Sequence, residues 1–210
     1  WDGLVAHYPF NGNANNVKGN YNGSTFDNTT SPTLSTGRDN VSNTAYSFDG
    51  DNDSIEFGSG MLSGDGEFSI LVWINSNNNS TTSRILQKRD PNCFNGEYML
   101  DILSNGKINF TTYSNGYKWG VTSSSALNDG RWYHLAFVQK DNGGQIYLNG
   151  TLDQTDNTSG KVNLLSICKT YIGGDLRDGV KYYSGKVDDF KVYNRALSAS
   201  EIQTLHTIID

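Results

Sequence analysis

Residues 68–76 read FSILVWINS. In an extended chain successive side chains point to opposite faces. Phe68, Ile70, Val72 and Ile74 therefore share one face, and Ser69, Leu71, Trp73 and Asn75 the other. Both faces carry apolar groups, so this strand is central and covered at least partly on both sides. A second run, WYHLAFVQK (132–140), behaves alike. Tyr133, Leu135 and Phe137 lie on one side, and Trp132, His134 and Ala136 on the other. His134 reads as a core-edge residue hydrogen-bonded to a neighbour, since no nucleophile accompanies it. Trp73 and Trp132 read as packing groups.

Similar runs recur about every ten residues on either side: AYSFDG, DSIEFG, RILQKR, EYMLDIL, KINFTTY, YKWGVT, GQIYLNG, KTYIGG and DDFKVYN. They are β-branched or aromatic, and Gly, Asn, Asp or Ser bounds them. Asp-Gly at 49–50 and Asn-Gly at 105–106, 115–116 and 149–150 are hairpin turn pairs. With no helices alternating between the runs, the pattern predicts an all-β, two-sheet antiparallel sandwich. The chain has 210 residues, is 12% aromatic and contains 23 Gly and 3 Pro, which suits a single domain over 1–210 with one wet face per sheet. The one persuasive helix is C-terminal. Ser198 with Glu201 forms a capping box, and Leu197, Ile202, Leu205 and Ile209 supply an apolar stripe. NSNNNSTTS (75–83) reads as a mobile loop between two strands.

Net charge is −6 and no Lys/Arg cluster stands out, which argues against nucleic acid as partner. No segment approaches the roughly 20 apolar residues of a bilayer span. The chain starts at Trp1 without a visible signal peptide and reads as a mature or excised fragment. Cys93 and Cys168 lack metal-ligand spacing, so zinc is disfavoured, while a single disulfide is open in an oxidising compartment. Asn-x-Ser/Thr triplets such as those at Asn22, Asn40 and Asn149 read as compositional accident.

The order GLVAHYPFNGNANN, AYSFDGDNDSIEF, FSILVWI, GRWYHLAFVQ, IYLNGTL, YIGGD and GKVDDFKVYNRALSASEI resembles the laminin-G-like jelly roll of the concanavalin A-like lectin/glucanase superfamily. The likeness is to its bacterial, polysaccharide-associated branch and covers nearly the whole chain. YPFNGNAN and DDFKVYNRALSASEI are its most specific pieces. The resemblance implies adjacent first and last strands, and a domain that binds glycans or protein ligands, often with calcium. It further implies a secreted or cell-surface, monomeric module linked to others. A protein-interaction or adhesion domain is the alternative.

Catalysis occurs in the same superfamily, in glycoside hydrolases and alginate lyases. A retaining hydrolase needs two carboxyls about 5 Å apart, which acids alternating along one strand deliver. The nearest acids, Asp49, Asp51 and Asp53, alternate in a Gly-rich turn and read as solvated. His7, His134 and His206 lie at a strand start, in a core-like strand and in the terminal helix, and no nucleophile elbow is present. The chain reads as non-enzymatic.

Two regions are candidates for holding a polysaccharide. The first is NFTTYSNGYKWG (109–120). A three-residue turn at Ser114–Gly116 sets Tyr113 opposite Tyr117 and leaves Tyr113, Tyr117 and Trp119 as an exposed strip. A two-residue Asn115–Gly116 turn pairs Tyr113 with Lys118 and sends Tyr117 and Trp119 to the core beside Phe110. The second is a loop rim, QKRDPNCFNG and GGDLRDGVKYYSG. By resemblance to pentraxin-like domains these loops converge, and Lys88, Arg89, Asp90, Arg177, Asp178, Tyr182 and Tyr183 form a basic and aromatic patch suited to an anionic chain. For metal, strict alternation places Asp188 on the core face with Phe190 and Val192. Since a buried acid needs a partner, Asn11, Asn13 and Asn16 either complete a structural Ca2+ site with Asp188 or hydrogen-bond it without metal. By the resemblance an acid commonly stands where Asn16 is, so the site is short of charge.

Overall fold

The computed structural model describes residues 2–25, 31–76, 80–89, 93, 96–114, 116–158, 162–165, 167–174 and 181–208. Its strands are β1 (Leu4–Tyr8), β2 (Ser24–Thr25), β3 (Thr33–Ser35), β4 (Ala45–Asp49), β5 (Ile55–Ser59), β6 (Phe68–Asn75), β7 (Ser83–Lys88), β8 (Glu97–Ile102), β9 (Lys107–Tyr113), β10 (Tyr117–Ala126), β11 (Trp132–Lys140), β12 (Gly143–Leu148), β13 (Thr151–Asp156), β14 (Lys169–Ile172) and β15 (Ser184–Tyr193). The helix is α1 (Ala199–Thr207). One eight-stranded sheet runs β13-β12-β11-β6-β15-β4-β3, with β1 also paired to β15. A seven-stranded sheet runs β10-β9-β8-β7-β14-β5-β2.

The alternation read from residues 68–76 is the one that builds the molecule. Phe68, Ile70, Val72 and Ile74 enter the core between the sheets, and β6 sits centrally between β11 and β15. Large rings fill that core. Tyr8 meets Phe57 at 4.5 Å and Phe190 at 5.5 Å between ring centroids, and Phe110 stacks on Phe137 at 4.5 Å. Such pairs add about 0.5–1.5 kcal/mol each beyond area burial. Leu71, on the outward face, packs with Ala136, Val138, Tyr193, Leu197, Ile202 and Leu205, so α1 covers part of that face. The capping box is present: Ser198 Oγ accepts from Glu201 N, and Glu201 accepts from Ser198 N at 2.8 Å. Ile209 lies outside the described residues.

The first and last strands are neighbours, with Leu4 opposite Tyr193 and Tyr8 opposite Phe190. Cys93 and Cys168 are joined, with Cα atoms 5.5 Å apart, which ties the segment after β7 to the one before β14.

Two bulges break the simple alternation. In the β9–β10 hairpin, Tyr113 faces Tyr117 as a three-residue turn requires, but the register then shifts and Trp119 faces Thr112. The tip follows one of the expected registers and the remainder follows the other, because an extra residue on one strand rotates everything beyond it. In β15 the register shifts between Asp188 and Lys191, and Asp189 has φ 48°. Asp tolerates that left-handed geometry better than most residues. Val187 and Phe190 then both face the core. Asp188 is thereby on the face opposite Phe190, which corrects the placement that strict alternation gives.

Candidate ligand-binding site

Cross-strand pairing lays out the outward face of the eight-stranded sheet as rows. Trp132, Asn75 and Lys186 form one row, and His134, Trp73 and Asp188 the next. Further along, Leu71 and its neighbours lie under α1. One end of the face is therefore apolar and roofed, and the other carries aromatic and polar groups.

Beneath the polar end the bulge at Asp189 turns two adjacent acids to the same side. Arg38 Nη1 lies 3.4 Å from Asp188 Oδ2, and Arg38 Nη2 lies 3.4 Å from Asp189 Oδ2. The backbone N–H of Arg38 donates to Asp188 Oδ2 at 3.2 Å. His7 Nε2 bonds Asp189 Oδ1 at 2.8 Å, and Lys191 Nζ contacts both Asp189 oxygens. The two acids respond in opposite directions. Burial pushes the Asp188 carboxyl up to about 6, against the pull of Arg38. Burial also acts on Asp189, but the hydrogen bond from His7, with Lys191 and Arg38, outweighs it and holds that carboxyl below the ordinary range.

Above this cluster three rings meet. Trp73 stacks on His206 at 5.3 Å and 24°, and His134 lies 5.2 Å from Trp73 and 5.5 Å from His206. The Arg38 guanidinium sits 5.1 Å from the Trp73 ring centroid. Burial pushes the His134 imidazole down to about 3, and burial with the nearby Arg38 charge also lowers His206, so both rings are neutral at pH 7. His134 is buried as expected, but its Nδ1 has no hydrogen-bond partner among the described residues. Trp73 Nε1 and His206 Nδ1 are likewise without one. A pocket of about 270 Å³ opens here, lined by Arg38, Asp39, Trp73, Trp132, His206 and the helix end. Asp39 Oδ1 accepts from Val41 N at 3.2 Å, and Asp39 Oδ2 bonds nothing among the described residues. The Trp73, Trp132 and His206 side chains and the Asp39 carboxylate thus line one concavity of near small-ligand size, which runs from about 300 Å³ upward. Trp73 does pack, against His206, His134 and Arg38, but reading Trp73 and Trp132 as packing alone left out the concavity they border. The contributing positions are far apart in sequence, and only the cross-strand pairing of Trp132 with Asn75, next to Trp73, hints at their meeting.

Among the described residues, those expected to hold a ligand are not gathered together. β7 and β14 are antiparallel, with Lys88 opposite Thr170 and Leu86 opposite Ile172. The segment after β7 therefore leaves at one end of the pair and the segment after β14 at the other. Lys88 is fully buried, and its Nζ donates to Cys168 O at 2.6 Å. Arg89 is buried with its Nε 3.3 Å from Glu97. Tyr183 is a core residue whose hydroxyl donates to Asn75 O at 3.1 Å. Trp119 is also in the core, where its indole N–H donates to Gln139 Oε1. Tyr182 is half-buried, and Tyr113 remains exposed at the hairpin tip. Asp90, Arg177, Asp178 and the Tyr117 side chain lie outside the described residues.

The expected calcium donors do not fit that ion. Asn16 Oδ1 accepts from His7 N at 2.9 Å and Lys18 N at 3.0 Å, while its Nδ2 donates to Asn20 O. Asn13 Oδ1 accepts from Asn15 N at 2.8 Å, and Asn11 is exposed. These amides close their own loop, and Asp188 is answered by Arg38, a cation where calcium would need further oxygens. No group of three or more His, Cys, Asp or Glu suited to a metal occurs among the described residues. The acidic turn differs from expectation at one position. Asp53 is buried, and its Oδ2 accepts from Asp49 N at 2.9 Å. Among the described residues no helix is long and apolar enough to cross a membrane.

A family model described as the concanavalin A-like lectin/glucanases superfamily matches residues 48–203. Adhesion G-protein coupled receptor D1 of Homo sapiens is 31% identical over 106 residues, which is 49% of this chain and 12% of the receptor. The chain thus spans about an eighth of that relative's length. Domain 4 of AbnA, a GH43 extracellular arabinanase from Geobacillus stearothermophilus solved with arabinotriose, superposes with TM-score 0.76 at 20% identity over 97% of this chain and 98% of that one. The binding domain of botulinum neurotoxin D, solved with N-acetylneuraminic acid, gives TM-score 0.73 at 17% identity over 98% of this chain and 50% of that one. At these identities the likeness establishes the fold.

Proposed function

The chain belongs to the concanavalin A-like lectin/glucanases superfamily, and from that premise we propose that it is a non-catalytic carbohydrate-binding domain of a secreted, multimodular protein. The observation that carries this reading is the pocket at Trp73 and Trp132. Aromatic faces stack on the C–H faces of sugar rings. The Asp39 carboxylate in the pocket wall offers a hydrogen-bond acceptor to hydroxyls. The family, and a structural neighbour from an arabinanase holding arabinotriose, support a saccharide as ligand. The Cys93–Cys168 disulfide supports an oxidising, extracellular setting.

The non-catalytic reading rests on where the candidate groups are spent. The Asp49–Asp53 turn uses carboxylate oxygens to hold its own backbone. His134 is buried among rings. Arg84 and Asp101, on β7 and β8, are paired with each other at 2.7 Å. Affinity electrophoresis through gels containing arabinan, xylan, laminarin, agarose, alginate or ulvan tests the proposal. Retardation on at least one is expected. Free migration on all of them would refute carbohydrate binding and favour a protein ligand. Release of reducing ends or unsaturated products would refute the non-catalytic part.

A further inference from the structure

We propose that the Trp73/Trp132 pocket is specific for a neutral sugar unit and discriminates against uronates and other acidic saccharides. This rests on the carbohydrate-binding reading above and names the ligand class of that site. Charge balance around the pocket carries it. Arg38 is the one cation lining it among the described residues, and its two terminal nitrogens already face Asp188 and Asp189. Nη2 also donates to Ile208 O at 3.0 Å. Lys191, below, is committed to Asp189. Lys186 shares the row of Trp132 but stands two strands away, roughly 10 Å across the sheet. No lining cation is therefore left for an incoming carboxylate.

The remaining polar group matches hydroxyls, since the Asp39 carboxylate accepts hydrogen bonds. Asp39, with an oxygen that bonds nothing among the described residues, accepts a hydrogen bond from a hydroxyl but repels a sugar carboxylate. A protein of net charge −6 adds to that repulsion at a distance. The small volume admits a single ring more readily than the bend of a chain passing through, so the unit taken is expected to be a chain end or a branch.

The test is titration calorimetry at pH 7 with arabinotriose and xylotriose as neutral probes and trigalacturonate as the acidic one. The wild-type domain and the variants Trp132→Ala and Asp39→Asn are compared, each checked for an unchanged thermal transition. The expected result is binding of a neutral trimer, trigalacturonate at least about tenfold weaker as one uncompensated like charge predicts, and loss of neutral binding in Trp132→Ala. Asp39→Asn keeps the loop acceptor and should narrow the neutral-to-acidic ratio several-fold. Should Trp132→Ala fail to fold, the ratio in wild type and Asp39→Asn decides alone. Tighter binding of trigalacturonate than of both neutral trimers overturns the specificity. Unchanged neutral binding in a folded Trp132→Ala overturns the location while leaving carbohydrate binding standing. Binding of none of the three, with retardation on a gel glycan, also overturns this assignment without touching the broader one.

Discussion

Replacing Asp188 by Asn should stabilise the protein at neutral pH. Asp188 is 3% exposed and its carboxyl is pushed from 3.8 to about 6, chiefly by burial. A folded-state value above the unfolded one means that the folded chain holds the proton more tightly. The stability contributed is complete below pH 3.8 and is lost as pH rises through 6. A displacement of about two units at about 1.4 kcal/mol each puts the cost of the charged form near 3 kcal/mol above pH 6. Asparagine keeps an oxygen for the Arg38 N–H, and Arg38 keeps Asp189 as counter-ion. Its new amide donors need partners, which takes back about 1 kcal/mol. The variant is therefore expected to be about 1–3 kcal/mol more stable at pH 8 and to lose that advantage by pH 4, where the amide cost leaves it level with wild type or up to about 1 kcal/mol below it. Urea unfolding at pH 4 to 8 reads the difference. Asp189→Asn is the opposite control. Its carboxyl is held low by His7, Lys191 and Arg38 against burial, so its contribution is present above the ordinary carboxylate range and lost on acidification. That variant should lose about 3–5 kcal/mol at pH 8, as breaking a buried pair does. A destabilised Asp188→Asn at pH 8, or a difference that does not change with pH, would refute the assignment of burial as the dominant influence on Asp188.

Three other outcomes follow from the packing. Replacing Cys93 and Cys168 together by Ala frees a closure spanning 75 residues, which loop entropy values at about 4 kcal/mol, so the urea midpoint should fall markedly while the far-ultraviolet circular dichroism of any folded fraction stays β-type. Gly144 on β12 lies against the Trp119 ring, where a methyl would collide, so Gly144→Ala should cost about 1–3 kcal/mol by thermal unfolding, and an unchanged Tm would argue against that close approach. Because the Asn16 amide and Asp188 are committed to protein partners, adding a calcium chelator should leave Tm unchanged, and a drop of several degrees would restore a metal to that region.

The strands with clean alternation were legible without coordinates. Phe68 to Ile74 and Tyr133 to Phe137 lie where a period of two puts them, and Ser198–Glu201 caps the helix where the spacing predicts. Prediction failed where alternation does. An extra residue near Lys118 sent Trp119 inward although the hairpin tip kept the open register, and the bulge at Asp189 moved Asp188 to the outer face. The two loop segments were beyond local reading for another reason. Composition shows that residues 88–95 and 173–183 are polar, but only the antiparallel pairing of β7 with β14 shows that they leave at opposite ends.

The sequence by itself determined the all-β class, the central strand and the helix cap, because these rest on local periodicity and short-range hydrogen bonding, while the adjacency of the first and last strands came from the family resemblance. The tertiary structure alone decided which acids share Arg38, which tryptophan is core and which lines a pocket, and that residues 38, 39, 73, 132 and 206 meet. Those outcomes depend on strand register and on contacts between segments more than thirty residues apart. A one-residue slip reverses every side chain beyond it, and nothing local to any one segment records its partners.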